Sequence, residues 1–289
     1  MGVPRFLAGT FRRAPSARRF LRALGLGSRG GSGRVESADG TMLSVRTTGR
    51  GTPVVIVHGT MDGIGAFSFV EVELAERFTV SVYDRRGRGG SGDADEYSFE
   101  REVEDLSAVI GLDGRPPHVI GHSFGALVAL RAALDGVEMR SLVLYEPPIH
   151  ADAVSPTAIA EIERLIATGE LDDAVRSMAQ GLAGASVQEL DLAMAVPPIR
   201  RTLREGITTA PRELEAIRGC SWSDAPLVGV PTLSVHGERR GSDAYPDTSE
   251  AGDLADDVHV VVLAGEGHVG HVRAPYDFVD AVGGFLARH

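Results

Sequence analysis

The stretch His118-Val119-Ile120-Gly121-His122-Ser123-Phe124-Gly125, continuing into Ala126-Leu127-Val128-Ala129-Leu130, decides how this chain is read. An apolar run of strand length meets a glycine, a Gly-x-Ser-x-Gly turn follows, and a helical pattern begins at Phe124 and runs to about Leu134. A serine in such a strand–turn–helix bend is held in a strained backbone with its hydroxyl exposed. The glycines on either side let neighbouring backbone approach closely. Free N–H groups at the start of the helix then point to where negative charge develops on an attacked carbonyl. Ser123 is the candidate nucleophile and the Phe124 N–H a candidate oxyanion donor. With 36 glycines in the chain the bare pattern arises by chance; the context gives it weight.

Working outward, apolar strands at 53–58, 78–83, 141–145, 232–236 and 259–263 flank this one. Helical stretches at 98–112 and 276–287 separate or follow them, with Ser98 as N-cap. Asp39-Gly40 between 34–37 and 42–46 reads as a hairpin turn. Alternating strands and helices predict an α/β fold with a mostly parallel central sheet and helices on both faces. From about His150 to Ser223 the rhythm breaks into helical patterns alone, such as 158–167, 171–178 and 199–217. The expected division is a basic arm (1–34), a core (35–149 and 224–289) and a helical cap (150–223).

Two further segments complete a site. His58-Gly59-Thr60-Met61-Asp62-Gly63 follows the 53–58 strand, where the second oxyanion donor is expected, and the Thr60 N–H is the candidate. Gly265-Glu266-Gly267-His268 follows the last strand and supplies a general base late in the chain, His268. His271 is its rival. His122 is expected to point away from the serine, and His58 to pack beneath the oxyanion loop.

With these motifs the chain resembles the α/β-hydrolase superfamily, in particular its capped bacterial members, over about residues 35–289. The likeness also rests on Tyr83-Asp84-Arg85-Arg86-Gly87-Arg88-Gly89-Gly90-Ser91-Gly92, on Tyr145-Glu146-Pro147-Pro148 and on the strand at 231–238, which ends in Gly237-Glu238. The resemblance implies a Ser–His–acid triad. Relatives usually carry the acid in a Gly-x-x-Asp turn after the 231–236 strand, but that position here is Arg240. Asp243 lies three residues on. Other relatives place it after the preceding strand, where this chain has Glu146. Glu146 is ranked ahead of Asp243, with Glu238 and Asp247 behind. The Asp84–Gly89 loop is read as structural packing against the elbow. Serine at the elbow argues against haloalkane dehalogenase or epoxide hydrolase chemistry, for which the resemblance implies Asp there.

The expected activity is hydrolysis of an ester, thioester or related acyl bond of a small molecule through an acyl-enzyme on Ser123. The alternative is a non-hydrolytic member of the fold: a receptor, cyclase or scaffold. No cofactor or metal is called for. Trp222, Met194 and Val196–Ile199 either line the pocket or pack the cap, and packing is preferred.

Composition narrows the partners. The net charge is −11, yet residues 1–35 hold eight arginines and no acid, leaving −19 on the remainder. An acidic body argues against nucleic acid. The lone cysteine, Cys220, excludes an intrachain disulfide and points to a reducing, cytoplasmic setting. No apolar run approaches the roughly 20 residues of a membrane span. The arginine-rich arm, with its Gly/Ser run at 27–34, is read as a flexible tail; a basic amphipathic helix on an anionic membrane is the secondary reading. Oligomeric state is not legible.

Overall fold

Val54 and Ile56 face one apolar layer, and Val55 and Val57 the other. That two-residue period sets the architecture: strand β3 (Thr52–Val57) is buried on both faces, so helices must cover both. The computed structural model describes residues 31–150, 154–220, 228–239, 255 and 257–289. Around β3 lie β1 (Gly31–Glu36), β2 (Met42–Gly49), β4 (Phe78–Tyr83), β5 (His118–His122), β6 (Ser141–Tyr145), β7 (Thr232–Gly237) and β8 (Val258–Leu263). They form one sheet in the order β1-β2-β4-β3-β5-β6-β7-β8, and only β2 runs against the rest. The chain passes from β3 outward to β4, then returns to place β5 on the other side. The strand order thus reverses between β3 and β5, and open α/β sheets bind ligands at the carboxyl ends flanking such a point.

Helices α1 (Ser68–Leu74), α2 (Phe99–Ile110) and α3 (Phe124–Leu134) belong to the first half. Among the described residues five more lie between β6 and β7: α4 (Pro156–Ala167), α5 (Leu171–Gly181), α6 (Val187–Met194), α7 (Pro197–Ile207) and α8 (Ala210–Arg218). The short α9 (Gly270–Arg273) and then α10 (Pro275–Leu286) close the chain. On one face α2 and α3 pack with Leu43, Val55, Val57 and Leu144. The inward side chains of α4 to α8, among them Ile162, Val175 and Leu214, join that same cluster. On the other face Val70 and Leu74 of α1 and Phe278, Val282 and Phe285 of α10 cover Val54, Ile56, Val80 and Val143. Phe124 to Leu130 is buried without interruption, so α3 is a central helix rather than a surface one.

The α/β expectation holds, and β4, β5, β6 and α3 fall where the sequence places them. Four differences have physical causes. The stretch 199–217 is two helices, broken at Thr208–Thr209, because Pro211 fits the first turn of a helix but not its interior. Helix α6 was not anticipated, although Ser186 and Glu189 form a capping box that signals it. Helix α1 was hidden by Val70 and Val72, whose branching and alternation look strand-like. Residues 31–34 of the Gly/Ser run are strand β1, since a ladder to β2 needs backbone groups and not side chains. Residues 1–30, including most of the basic arm, lie outside the described residues, as does Trp222. No helix among the described residues is long and apolar enough to cross a membrane.

Candidate active site

Ser123 joins β5 to α3 with φ 52° and ψ −124°, a left-handed conformation that costs a non-glycine residue on the order of 1–3 kcal/mol. Neighbouring glycines make this bend feasible. A Cβ on Gly121 would lie 2.5 Å from the Ala126 Cα, and one on Gly125 would run into the carbonyl oxygens of Val57 and His58. Phe124 opens α3, so its N–H has no acceptor within the helix.

The loop after β3 lies directly beside the serine: a Cβ on Gly59 would be 3.1 Å from the Ser123 Cβ. Thr60 follows, and Met61 adopts φ 63° to turn the loop away. The Thr60 hydroxyl donates to Glu213 Oε2 on α8 at 2.8 Å. Beneath it His58 is fully buried, accepts the Arg85 N–H at Nε2 (3.1 Å) and donates from Nδ1 to the Gly59 carbonyl (2.9 Å). Burial, with the Arg85 charge, pushes the His58 pKa down to about 3, so the ring stays neutral.

His268 and Glu146 meet at the ends of β8 and β6. Glu146 Oε2 comes within 3.6 Å of His268 Nδ1, while Oε1 accepts the Gly237 N–H at 2.7 Å. Glu146 too is left-handed, with φ 49°. Its side chain is nearly enclosed, and burial works against ionisation; the facing His268 and the Gly237 N–H outweigh it and hold the carboxyl below its usual range. Burial likewise lowers the His268 pKa, and Glu146 opposes that shift. The His268 loop is tied down by Tyr145, whose hydroxyl donates to the Gly267 carbonyl and accepts the Gly270 N–H (2.7 Å). Gly237 must be glycine for this fit, as a Cβ there would lie 2.5 Å from the Gly267 Cα.

Asp243 and Asp247 lie outside the described residues, while Glu238 accepts the Gly265 N–H at the opposite end of the loop. His271 is buried, stacked on Phe67 at 4.3 Å, and is not the ring facing Glu146. The His122 Nε2 donates to the backbone carbonyl of His268 at 2.9 Å, so the residue before the serine helps hold the His268 main chain.

The arginine loop packs against the elbow, as its sequence suggested, and also reaches helix α8. Arg85 is fully buried, pairs with Glu102 and Glu213 at 2.8 Å each, and covers the Phe124 ring at 4.6 Å. Arg88 pairs with Glu213 and donates to the Gly206 carbonyl. Glu213 is buried, which opposes its charge, yet the two arginines pull its pKa down to about 2. Sequence reading missed Glu213, Tyr145 and Asp62. Only Tyr145, a polar-tipped aromatic ending a core strand, carried a local signal.

The sheet has the strand order and helix layers of an α/β hydrolase, and comparison with known proteins agrees on the fold. Residues 54–281 match the model of the Alpha/beta hydrolase family, and the chain belongs to that family as an α/β-fold hydrolase. It is similar to the N-formylmaleamate deformylase of Pseudomonas putida, 27% identical over 256 residues covering 84% of this chain and 89% of that one. It is also similar to the 2-(acetamidomethylene)succinate hydrolase of Mesorhizobium japonicum, 26% identical over 84% of this chain and 91% of the relative. Among solved structures, an alpha/beta hydrolase from Sphaerobacter thermophilus superimposes with a TM-score of 0.75 at 30% identity, covering 88% of this chain and all of that one.

Proposed function

We propose that the protein hydrolyses an ester, thioester or related acyl bond, amides included, of a small molecule through an acyl-enzyme on Ser123. Ser123 Oγ attacks the acyl carbon while His268 takes the hydroxyl proton. Glu146 holds the ring in one tautomer and balances the imidazolium that forms. The N–H groups of Thr60 and Phe124 stabilise the oxyanion. The imidazolium then protonates the leaving group, and water, deprotonated by His268, releases the acid and restores the serine.

The observation that carries this reading is the 3.6 Å approach of the Glu146 carboxylate to His268 Nδ1 at the same sheet edge as the strained Ser123. It favours Glu146 over Asp243 as the acid. Helices α4 to α8 act as the cap that shapes the substrate pocket. The deformylase and the acetamidomethylene-succinate hydrolase extend the substrate range worth testing to N-formyl and N-acetyl compounds.

A fluorophosphonate probe tests the mechanism. Labelling of the intact protein that disappears in Ser123→Ala is expected. Turnover of a panel of acyl esters and N-acyl amides should fall about 10³-fold or more in Glu146→Ala and stay near wild type in Asp243→Ala. The reverse pattern would move the acid to Asp243, and no labelling at any pH would leave a binding protein.

A further inference from the structure

Behind His268 three side chains from three elements converge: Asp62 from the loop after β3, His122 from the end of β5, and His271 from α9. Their ligating atoms all lie within 4.8 Å of one another. We propose that Asp62, His122 and His271 bind a divalent transition-metal ion of the zinc class, an accessory site distinct from the triad.

The hydrogen-bond inventory argues for a shared cation. His122 Nε2 lies 2.9 Å from the His268 carbonyl oxygen, and a carbonyl only accepts, so Nε2 carries a proton. The other ring nitrogen, Nδ1, is buried, faces Asp62 Oδ2 at 3.5 Å and makes no hydrogen bond among the described residues. A cation seated between these two atoms would be held by both. Two ligands bound at zinc distances in a tetrahedron are about 3.4 Å apart. An N–H donated to a backbone carbonyl is also the arrangement that orients metal-binding imidazoles.

His271 adds an independent observation. It is 1% exposed, and neither ring nitrogen has a hydrogen-bond partner among the described residues. Stacked on Phe67 at 4.3 Å and 12°, in a wall that includes Phe278, the position favours an aromatic ring. Packing alone would be served by phenylalanine; an imidazole there carries the cost of a buried polar group with nothing to bond.

Entry is open on one side. Asp62, 24% exposed, borders a cleft of about 310 Å³ with Arg46, Arg88 and Glu205. Both arginines are already neutralised, Arg46 by Glu71 and Arg88 by Glu213. Two imidazoles and one carboxylate suit zinc or cobalt, whereas magnesium and calcium prefer oxygen alone. The His122 ring is 4.7 Å from that of His268, so the ion would lie beside the proposed triad without taking any of its members as a ligand.

Titration of the full chain with Co²⁺ tests the site without reference to activity. The expected result is saturable binding of one ion, with visible d–d bands that Zn²⁺ displaces. His271→Phe, which keeps the stack on Phe67, and Asp62→Asn on the partly exposed loop should each weaken binding roughly tenfold or more. Cooperative melting checks that the variants fold, and Asp62→Asn carries the test if His271→Phe does not. Absence of saturable binding, or wild-type binding in a folded variant, would overturn the proposal. Because Ser123 labelling is scored separately, failure here leaves the acyl-enzyme reading untouched, and the converse also holds.

Discussion

Among the described residues three that are not glycine have positive φ: Met61, Ser123 and Glu146. Each follows a core strand at its carboxyl end, and together they surround the candidate site. Backbone strain of this kind persists only where the surroundings over-determine it. For Glu146 the determinants are visible: its N–H donates to Val235 at 3.0 Å and its Oε1 accepts from Gly237. A testable pH dependence belongs to this scale. His268 must be neutral to act as base, and burial lowers its pKa, so the acid limb of kcat/KM should lie below the ordinary imidazole value of about 6.5. Glu146 favours the charged ring and so raises that pKa. Glu146→Gln should therefore shift the limb further down while reducing kcat. A limb that moves up in a pH–rate profile would contradict this assignment.

At the scale of elements, α8 is joined to the elbow by charge. Glu213 receives Arg85, Arg88 and the Thr60 hydroxyl, and Arg85 in turn covers Phe124. One carboxylate from the inserted helices thus touches the residues that hold both proposed oxyanion donors. Glu213→Ala leaves two buried guanidinium groups short of a partner and should destabilise the fold by about 3–5 kcal/mol in denaturant unfolding. Thr60→Val removes only one hydroxyl, at about 1 kcal/mol. If the hydroxyl positions the loop, kcat should fall with little change in KM, and Thr60→Ser should recover it. Equal loss in Thr60→Val and Thr60→Ser would assign the residue to packing.

For the whole molecule, acid stability follows from buried histidines. Burial lowers the His58 pKa to about 3 and the His118 pKa to about 4, with Arg85 and Arg140 adding to the shifts; His271 is also lowered, by burial and by His122. In the unfolded chain each titrates near the ordinary value of about 6.5. Between these limits the unfolded state binds more protons, so stability declines as pH falls below that value. Calorimetric unfolding at pH 5 should show net proton uptake and a lower Tm than at pH 7. Replacing His118, which bonds Ser141 at 2.7 Å, with Asn should reduce the uptake by roughly one proton.

Much of the architecture was local information. Apolar runs and their glycine and serine boundaries set β4, β5, β6 and α3 to the residue, because a strand buried on both faces and a helix started by a tight turn depend on their own side chains. Ser123, His268 and the loop at Thr60 stood out for the same reason: each belongs to a turn or loop that follows a core strand. Local pattern did not reveal α1 or α6, or that 31–34 forms a strand, since there packing and ladder bonds outweigh propensity. Nor did it bring Glu146 to His268, join Glu213 to Thr60 across 153 positions, or bring Asp62, His122 and His271 together. Those relations exist only once the sheet is assembled. Strand order brings the ends of β3, β5, β6 and β8 to one edge, and distance along the chain says nothing of distance across it.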